Sequence, residues 1–151
     1  MTQQSPVIDV HAHIVFEALH GAAGPHGPEA AVDEQGVNFF RIGEYQLKPL
    51  SYEGSVFIDM ALRLAHMDRL GIDVQVLSAN PLTMFHGIDA ATATAFCQQQ
   101  NDLMALAIAE HPERLLGLGS LPMQSVTASC HELERVVQDL GLSGVAIGTD
   151  F

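Results

Sequence analysis

Short apolar runs recur along the chain and predict β-strands. Each run is apolar at successive positions, which is typical of strands that are covered on both faces. Turn-forming residues bound the runs, since Pro6 precedes the first and Asn80-Pro81 follows the second. The predicted strands are residues 7–10, 73–79, 115–121 and 144–148.

Between the strands, apolar residues recur every three or four positions, and this spacing predicts three helices. The first begins behind Asp59 and ends at Gly71, the second covers about residues 90–111, and the third begins behind Ser125 and ends at Gly141. Strands that alternate with helices indicate βαβ units and a parallel sheet. The pattern therefore predicts an α/β fold.

One segment, at about residues 17–56, interrupts this alternation and is rich in glycine and proline. Within it, VNFFRI and YQLKPL flank Gly43-Glu44, which predicts a short hairpin with glycine in the turn. A connection of this length in a compact domain is typical of a functional loop or an insertion. We expect one domain over residues 1–151 that carries a long insertion.

Composition narrows the classes of partner. With 151 residues, 48% hydrophobic and 16% charged, the chain has the composition of one globular domain. Six Lys and Arg against eighteen Asp and Glu give a net charge of -12, so we expect neither nucleic acid nor an anionic membrane surface as a partner. No apolar run approaches the roughly 20 residues that a membrane span needs.

The N-terminal segment MTQQSPVIDV has neither the basic region nor the long apolar core of a secretory signal. The two cysteines, Cys97 and Cys130, have no metal-binding or redox spacing, and we expect both to be small buried side chains in helices. Together these features favour a cytoplasmic location.

Two histidines, His11 and His13, stand one residue apart directly after the first predicted strand. Residues i and i+2 of a strand face the same side, so both imidazoles should project together just past its C-terminal end, where parallel α/β proteins bind ligands. Two neutral imidazoles can hold zinc, nickel, iron or copper. Asp9 has the same parity and is expected to orient a ligand or its surroundings. Eight histidines give about 0.4 such pairs by chance, so the spacing alone is a weak signal. The position of the pair at a strand end, behind an aspartate and before a long loop, favours a metal site more strongly.

The loop after the second strand contains further candidates at the same rim. His86 is a candidate for acid–base or substrate contact, against the alternative of an exposed loop histidine. Asn80 and Phe85 are expected either to line a substrate pocket or to pack the rim. In the predicted hairpin, Arg41 and Lys48 are candidates to bind a substrate carboxylate.

Other chemistry-bearing residues have structural interpretations. Arg63 and Arg69 of the first helix are expected to pair with nearby aspartates (Asp59, Asp68 or Asp73). Gly117 and Gly119 lie in a predicted strand rather than a strand-to-helix loop, so they do not predict a phosphate site. The remaining histidines are expected at the surface, where those of the long loop could approach a metal (His20, His26, His66, His111 and His131).

Four stretches, VIDVHAHIV, LRLAHMDRLGIDVQVLSANPLTMFH, RLLGLGSLPMQ and GLSGVAIGTDF, resemble a known family from about residue 6 to residue 151. They are similar, in order and in element length, to the N-terminal half of amidohydrolase-related proteins. The branch resembled contains aminocarboxymuconate-semialdehyde decarboxylase and γ-resorcylate decarboxylase. The four stretches together are specific, whereas the histidine pair alone would not be.

The resemblance implies a metal-dependent (β/α)₈ barrel, with zinc as the expected cation and manganese as the other possibility. It implies that His11 and His13 are the strand-one ligands. Members of the family take their other ligands from strands five and eight, and an acid–base histidine from strand six. An eight-stranded barrel needs about 250 residues, so four predicted strands indicate an N-terminal half-barrel.

Three functions remain as alternatives. The branch resembled, rather than any residue, favours a metal-dependent carboxy-lyase that decarboxylates an unsaturated or aromatic carboxylate. The second alternative is a metal-dependent hydrolase of a lactone, ester or amide. The third is a truncated, catalytically inactive chain that self-associates, because half a barrel leaves two open sheet edges. The expected partners are a small-molecule carboxylate as substrate and further copies of the chain in a homo-oligomer.

Overall fold

The chain alternates strands and helices in the predicted order, in a computed structural model that describes residues 5–148. The elements are β1 (Ile8–Ile14), β2 (Glu29–Val32), β3 (Asn38–Ile42), β4 (Tyr45–Leu47), α1 (Met60–Leu70), β5 (Val74–Ala79), α2 (Ala90–Ala109), β6 (Leu115–Gly119), α3 (Val126–Glu134) and β7 (Gly144–Val145). The N-terminal residues assessed above for a signal (1–4) and the end of the fourth family-like stretch (149–151) lie outside the described residues.

A parallel four-stranded sheet in the order β1-β5-β6-β7 forms the centre of the fold and confirms the predicted partial barrel. Its strands differ in length from the prediction because pairing sets where each one ends. β1 continues to Ile14, since its last residues pair with β5 as far as Ala79. β6 ends at Gly119, and β7, which pairs with the end of β6, is correspondingly short.

Helices cover one face of this sheet. Alternate residues of β5 (Gln75, Leu77 and Ala79) are buried, while the residues between them are half-buried. Removing a large apolar side chain from water contributes about 1.5–3 kcal/mol, so this layer stabilises the fold. The buried core contains Ile14, Met67, Leu77, Met104, Leu115, Val136 and Leu142. On the other face Leu116 of β6 is 39% exposed.

Two glycines of β6 permit close packing on the helix side. A β-carbon at Gly117 would lie 2.9 Å from Met104, and one at Gly119 would lie 2.9 Å from Val136. Both distances are shorter than carbon–carbon contact of about 3.5–4.0 Å. These glycines therefore serve packing, and both lie in a strand as predicted.

The predicted helix caps are confirmed. The side chains of Asp59, Asp89 and Ser125 accept hydrogen bonds from backbone N–H groups of the first turns of α1, α2 and α3. Gly71 ends α1 in the left-handed conformation. The third helix departs from expectation, because its α-helical part ends at Glu134 and a π-helical turn covers Arg135–Asp139. No helix within residues 5–148 is long and apolar enough to cross a membrane.

The long insertion contains a three-stranded antiparallel sheet in the order β2-β3-β4. The predicted hairpin is confirmed, since Ile42 pairs with Tyr45 around Gly43-Glu44 and Gly43 has a φ of 55°. β2 was not predicted, because its sequence EAAV has no strand pattern and only pairing with β3 defines it. Asn80 at the end of β5 donates to the Tyr52 hydroxyl at 2.8 Å, which ties the insertion to the barrel rim.

Two side-chain predictions, for Cys130 and Arg69, are corrected. Cys97 is buried as expected, but Cys130 is exposed because it lies on the outer side of α3. Arg69 contacts His66 rather than an aspartate. The three aspartates have other partners: Asp59 caps α1, Asp68 pairs with Arg114, and Asp73 accepts from the Val7 amide. Arg63 is buried and is described with the histidine pair below.

Candidate metal centre

The two histidines lie within β1, and not beyond its end as predicted. Asp9 pairs with Gln75 and Ala12 pairs with Leu77, so β1 advances three residues while β5 advances two. This irregularity is a β-bulge, which leaves one residue unpaired and re-aims the side chains around it. The histidine pair therefore lies at a local distortion of the sheet.

The imidazole rings of His11 and His13 converge at this bulge. Their Nε2 atoms are 3.1 Å apart, and their ring planes meet at 76°. Two nitrogen ligands of one cation are about 3.0–3.4 Å apart in octahedral or tetrahedral geometry. The separation thus fits two ligands of one divalent cation. It also fits a hydrogen bond from one ring to the other.

Ser78 of β5 orients the second histidine. Its Oγ lies 2.9 Å from Nδ1 of His13 and 3.5 Å from the carbonyl oxygen of Ala12. When Nδ1–H donates to this hydroxyl, Nε2 retains the lone pair that a metal ligand needs. Burial lowers the pKa of His13, and charge repulsion from His11 lowers it further, which favours the neutral ring at neutral pH.

Asp9 does not share a face with the histidines, so the parity prediction is wrong at this residue. Its Oδ2 accepts from Nε2 of Gln75 at 2.8 Å, and Gln75 belongs to the helix-covered face of β5. The bulge causes this change of side, because it adds a residue between Asp9 and Ala12. Asp9 still contacts the pair through its Oδ1, which accepts from the His11 backbone amide at 3.1 Å. The Gln75 hydrogen bond, and then that amide, lower the pKa of Asp9.

Arg63 was predicted to pair with a nearby aspartate, but it is 3% exposed and its side chain has no direct bond to any of the three aspartates named above. Its guanidinium donates to Oε1 of Gln75 and to the backbone carbonyl of His13, each at 2.7 Å. Desolvation lowers its pKa, and the charge of Asp9 partly offsets this effect. The helix faces inward at this position because it packs across β1 and β5, which the helix pattern alone does not indicate.

A third ligand is missing from the described part of the chain. Among residues 5–148, no group of three or more His, Cys, Asp and Glu side chains is arranged to hold a metal ion. Catalytic zinc normally has three protein ligands and an open position. The residues present therefore fit a divalent cation as two of its ligands and do not complete its coordination.

A sequence comparison gives the family. Residues 8–151 match the family described as amidohydrolase. The chain belongs to the amidohydrolase family. This confirms the resemblance on which the barrel and the metal chemistry were expected.

The amidohydrolase chain is similar to decarboxylases in both sequence and structure. It is 38% identical over 92 residues to 2-amino-3-carboxymuconate-6-semialdehyde decarboxylase of Dictyostelium discoideum, which covers 61% of this chain and 26% of the relative. It is 33% identical over 120 residues to γ-resorcylate decarboxylase of a Rhizobium strain, which covers 80% of this chain and 35% of the relative. The chain thus spans about a quarter to a third of these two relatives.

Solved structures show the same fold. The 5-carboxyvanillate decarboxylase of Sphingomonas paucimobilis superposes with a TM-score of 0.70 at 26% identity, covering 95% of this chain and 42% of that one. The dihydroxybenzoic acid decarboxylase of a Polaromonas strain, with bound manganese and the inhibitor 2-nitroresorcinol, superposes with a TM-score of 0.69 at 26% identity, covering 94% and 38%. The amidohydrolase chain corresponds to the N-terminal part of such proteins.

The structure brings two of the rim candidates of this amidohydrolase together. Phe85 and His86 line one narrow cleft with Ser120 and with residues that follow β7. Phe85 packs edge-to-face on Phe96 with ring centroids 4.8 Å apart, while His86 is exposed. This cleft lies at the C-terminal end of the parallel strands, the side where barrels of this kind bind ligands.

The other two candidates have intramolecular partners. Asn80 is 7% exposed, and it bonds to Tyr52 and to the amide of Leu82. Arg41 forms an ion pair of 2.6 Å with Glu29 and donates to two backbone carbonyls of the insertion. Neither side chain lies in the cleft of Phe85 and His86.

The sequence patterns missed Ser78, Gln75 and Arg63. The two strand residues carry a signal, because they are polar positions in the otherwise apolar segment DVQVLSA. Such positions in a buried strand usually have a hydrogen-bond partner, which would have directed attention to them. Their partners depend on the register of β1 against β5, and that register is visible only in the fold.

Proposed function

We propose that this chain is part of a metal-dependent decarboxylase that acts on an aromatic or unsaturated carboxylate, and that His11 and His13 are two of its metal ligands. The decarboxylases named above support the reaction and the substrate class. The observation that carries the metal role is the 3.1 Å approach of the two Nε2 atoms, with Ser78 holding the other nitrogen of His13. The remaining ligands would come from outside residues 5–148.

The cation proposed is divalent. Zinc is the metal that the family resemblance favours, whereas the Polaromonas relative contains manganese. Imidazole nitrogen accepts either ion, so the pair itself does not choose between them. Bound there, the cation would polarise a substrate oxygen and offset the negative charge that develops on the substrate as CO₂ leaves.

The residues of this chain suit three other tasks. Ser78 can accept the Nδ1 proton of His13, which would leave Nε2 free to bind the cation. Phe85 offers an aromatic edge in the cleft, against which a planar substrate can pack. Loss of CO₂ leaves the bonding electron pair on the ring or vinyl carbon, which must accept a proton to form a C–H bond, and His86 in the same cleft is our candidate proton donor. Asn80 and Arg41 are weaker candidates, because they would have to give up Tyr52 and Glu29.

Metal analysis tests the histidine pair. Full-length protein, which would supply the remaining ligands, should retain metal after loading with Mn²⁺ or Zn²⁺ and removal of the excess, and its His11→Ala/His13→Ala variant should retain far less. The matched control removes two histidines of the helices, His111→Ala/His131→Ala, and should retain as much metal as the wild type. Equal metal content in the wild type and the His11/His13 variant would exclude these residues as the ligands.

Assays on the full-length protein distinguish decarboxylation from hydrolysis. Incubation with hydroxylated aromatic carboxylates should release CO₂ in a metal-dependent manner, and a lactone panel should give no ring opening. Lactone opening without CO₂ release would establish the hydrolase alternative instead. The His86→Gln variant should then lose turnover while it still binds metal, since His86 is proposed to move a proton rather than to ligate.

The open face of the sheet supports self-association of the 151-residue chain when it is expressed alone. Val10 is 72% exposed, Ile147 54% and Leu116 39%. Apolar side chains on an uncovered sheet and at its edges are sites of pairing between chains. Light scattering after size-exclusion chromatography should therefore give a dimer or larger species, and a monomer at every concentration would refute this expectation.

A further inference from the structure

Arg63 is a buried charge that the proposed chemistry does not use. It is 3% exposed, and burial of a guanidinium is costly unless its donors are satisfied. One terminal nitrogen donates to the backbone carbonyl of His13, and the other donates to Oε1 of Gln75, both at 2.7 Å. A surface position beside an aspartate would avoid this cost, so the question is what Arg63 holds in place.

Its hydrogen bonds continue to the other end of the histidine segment. Gln75 passes the contact on, because its Nε2 donates to Oδ2 of Asp9 at 2.8 Å. Oδ1 of Asp9 in turn accepts from the backbone amide of His11 at 3.1 Å. The hydrogen bonds of Arg63, Gln75 and Asp9 therefore hold the backbone at two points, the His11 N–H within the bulge and the His13 carbonyl just past it.

Arg135 shows what an arginine with a purely structural role does in this fold. It binds carboxylates directly, with 2.6 Å to Asp102 and 2.8 Å to Glu132. Arg63 instead reaches its nearest bonded carboxylate, Asp9, only through the Gln75 amide. Both of its terminal nitrogens are directed at the β1–β5 pair, at the place where the strand register slips.

We propose that Arg63 is a positioning residue for the histidine pair: through Gln75 and Asp9 it holds the bulge of β1 in the shape that brings the two Nε2 atoms together. This inference rests on the proposed function, since the pair is taken to bind metal. A bulge leaves backbone groups unpaired and free to shift, so an external anchor is what keeps its side chains aimed. Partners behind metal ligands typically change affinity by about 10–100-fold.

Two measurements on the full-length protein, which would supply the remaining metal ligands, test this proposal. Solvent exchange of the His11 backbone amide, followed by NMR without metal, reports the bulge itself, and Mn²⁺ affinity reports the pair. Arg63→Met should speed the exchange by roughly 10-fold, as expected for one weakened hydrogen bond, and weaken Mn²⁺ binding by roughly 10–100-fold. Arg63→Lys keeps the charge and can reach one acceptor at a time, so it should recover part of both effects.

Arg135→Met is the matched control. It removes a guanidinium that contacts α2 and α3 rather than β1 and β5, so it should lower stability yet leave both measurements within about 2-fold of the wild type after correction for global unfolding. If folded Arg63→Met behaves as this control does, the positioning role is wrong, while metal binding by the wild type still supports the proposed function. If the wild type binds no Mn²⁺, the metal role is wrong, and exchange at His11 alone decides the inference. Should Arg63→Met fail to fold, Arg63→Lys decides the question. If Arg63→Lys matches the wild type in both measurements, simultaneous bonds from Arg63 to Gln75 and to the His13 carbonyl are not needed, and the proposal is wrong.

Discussion

Gly119→Ala is a substitution whose effect follows directly from the packing of β6. A β-carbon there would lie 2.9 and 3.0 Å from the two methyl groups of Val136 and 3.1 Å from Oδ1 of Asn101. Optimal carbon–carbon separation is about 3.5–4.0 Å. Val136 is fully buried, and β-branching restricts its rotamers. Asn101 is fixed by hydrogen bonds to Ser120 and Glu132. Neither Val136 nor Asn101 can move away without a large energetic cost, so the backbone must shift to relieve the clash.

Alanine substitutions at two other glycines provide the comparison for the expected loss of stability. At Gly117 the new methyl would meet Met104 at 2.9 Å and Leu142 at 3.1 Å, but these are flexible side chains that can adjust. At Gly87 nothing lies within 4 Å and φ is outside the left-handed region. Overpacking costs about 1–3 kcal/mol. We expect a loss of about 3 kcal/mol for Gly119→Ala and about 1 kcal/mol for Gly117→Ala, and a gain of up to about 1 kcal/mol for Gly87→Ala.

Urea unfolding followed by far-UV circular dichroism measures these differences, and a constant m-value shows that the folded and unfolded states remain comparable. For a chain of this size, about 2–4 °C per kcal/mol implies that Gly119→Ala melts roughly 6–12 °C lower. If Gly119→Ala is as stable as Gly87→Ala, or if Gly117→Ala is the more damaging of the two strand variants, the close approach of the helices to β6 is not what requires glycine there.

Further predictions concern thiols, ion pairs and a helix cap. In the native chain a thiol reagent should label Cys130 only, because burial, and to a smaller extent the charge of Glu132, raises the pKa of Cys97 to about 12. Both thiols should react in urea, and rapid labelling of two thiols in the native chain would contradict the prediction. Glu132→Gln breaks a buried ion pair and should lower the free energy of unfolding by about 3–5 kcal/mol. The corresponding change at an exposed pair, Asp68→Asn, should lower it by less than about 1 kcal/mol, and similar losses for the two variants in urea unfolding would refute the distinction. Hydrogen bonds from the first turn of α2 lower the pKa of Asp89 below 3.8, so its stabilising contribution is present above 3.8 and is lost as pH falls through the lower folded value. Asp89→Asn should therefore flatten the acid dependence of unfolding, and an NMR titration of Asp89 at or above 3.8 would contradict this.

Local patterns in the sequence predicted the order of the strands and helices and several of their ends. Caps such as Asp59 and Asp89 need only their own next few residues, and the Gly43-Glu44 hairpin needs only its two flanks. For the same reason the order of strands and helices was predictable. The histidine pair was found because His-x-His stands at a strand, and the family resemblance supported it.

Tertiary structure decided what depends on two elements at once. The register of β1 against β5 produces the bulge, and the bulge turns Asp9 to the other face and sets Ser78 beside His13. No local pattern contains that register, because it is a relation between residues more than sixty positions apart. Arg63 follows the same rule: its position on α1 could be predicted, but its burial and its bonds to Gln75 and His13 exist only because the helix packs across both strands. The sequence by itself thus determined which residues are candidates for metal chemistry, and the packing of α1 on β1 and β5 decided how they are held.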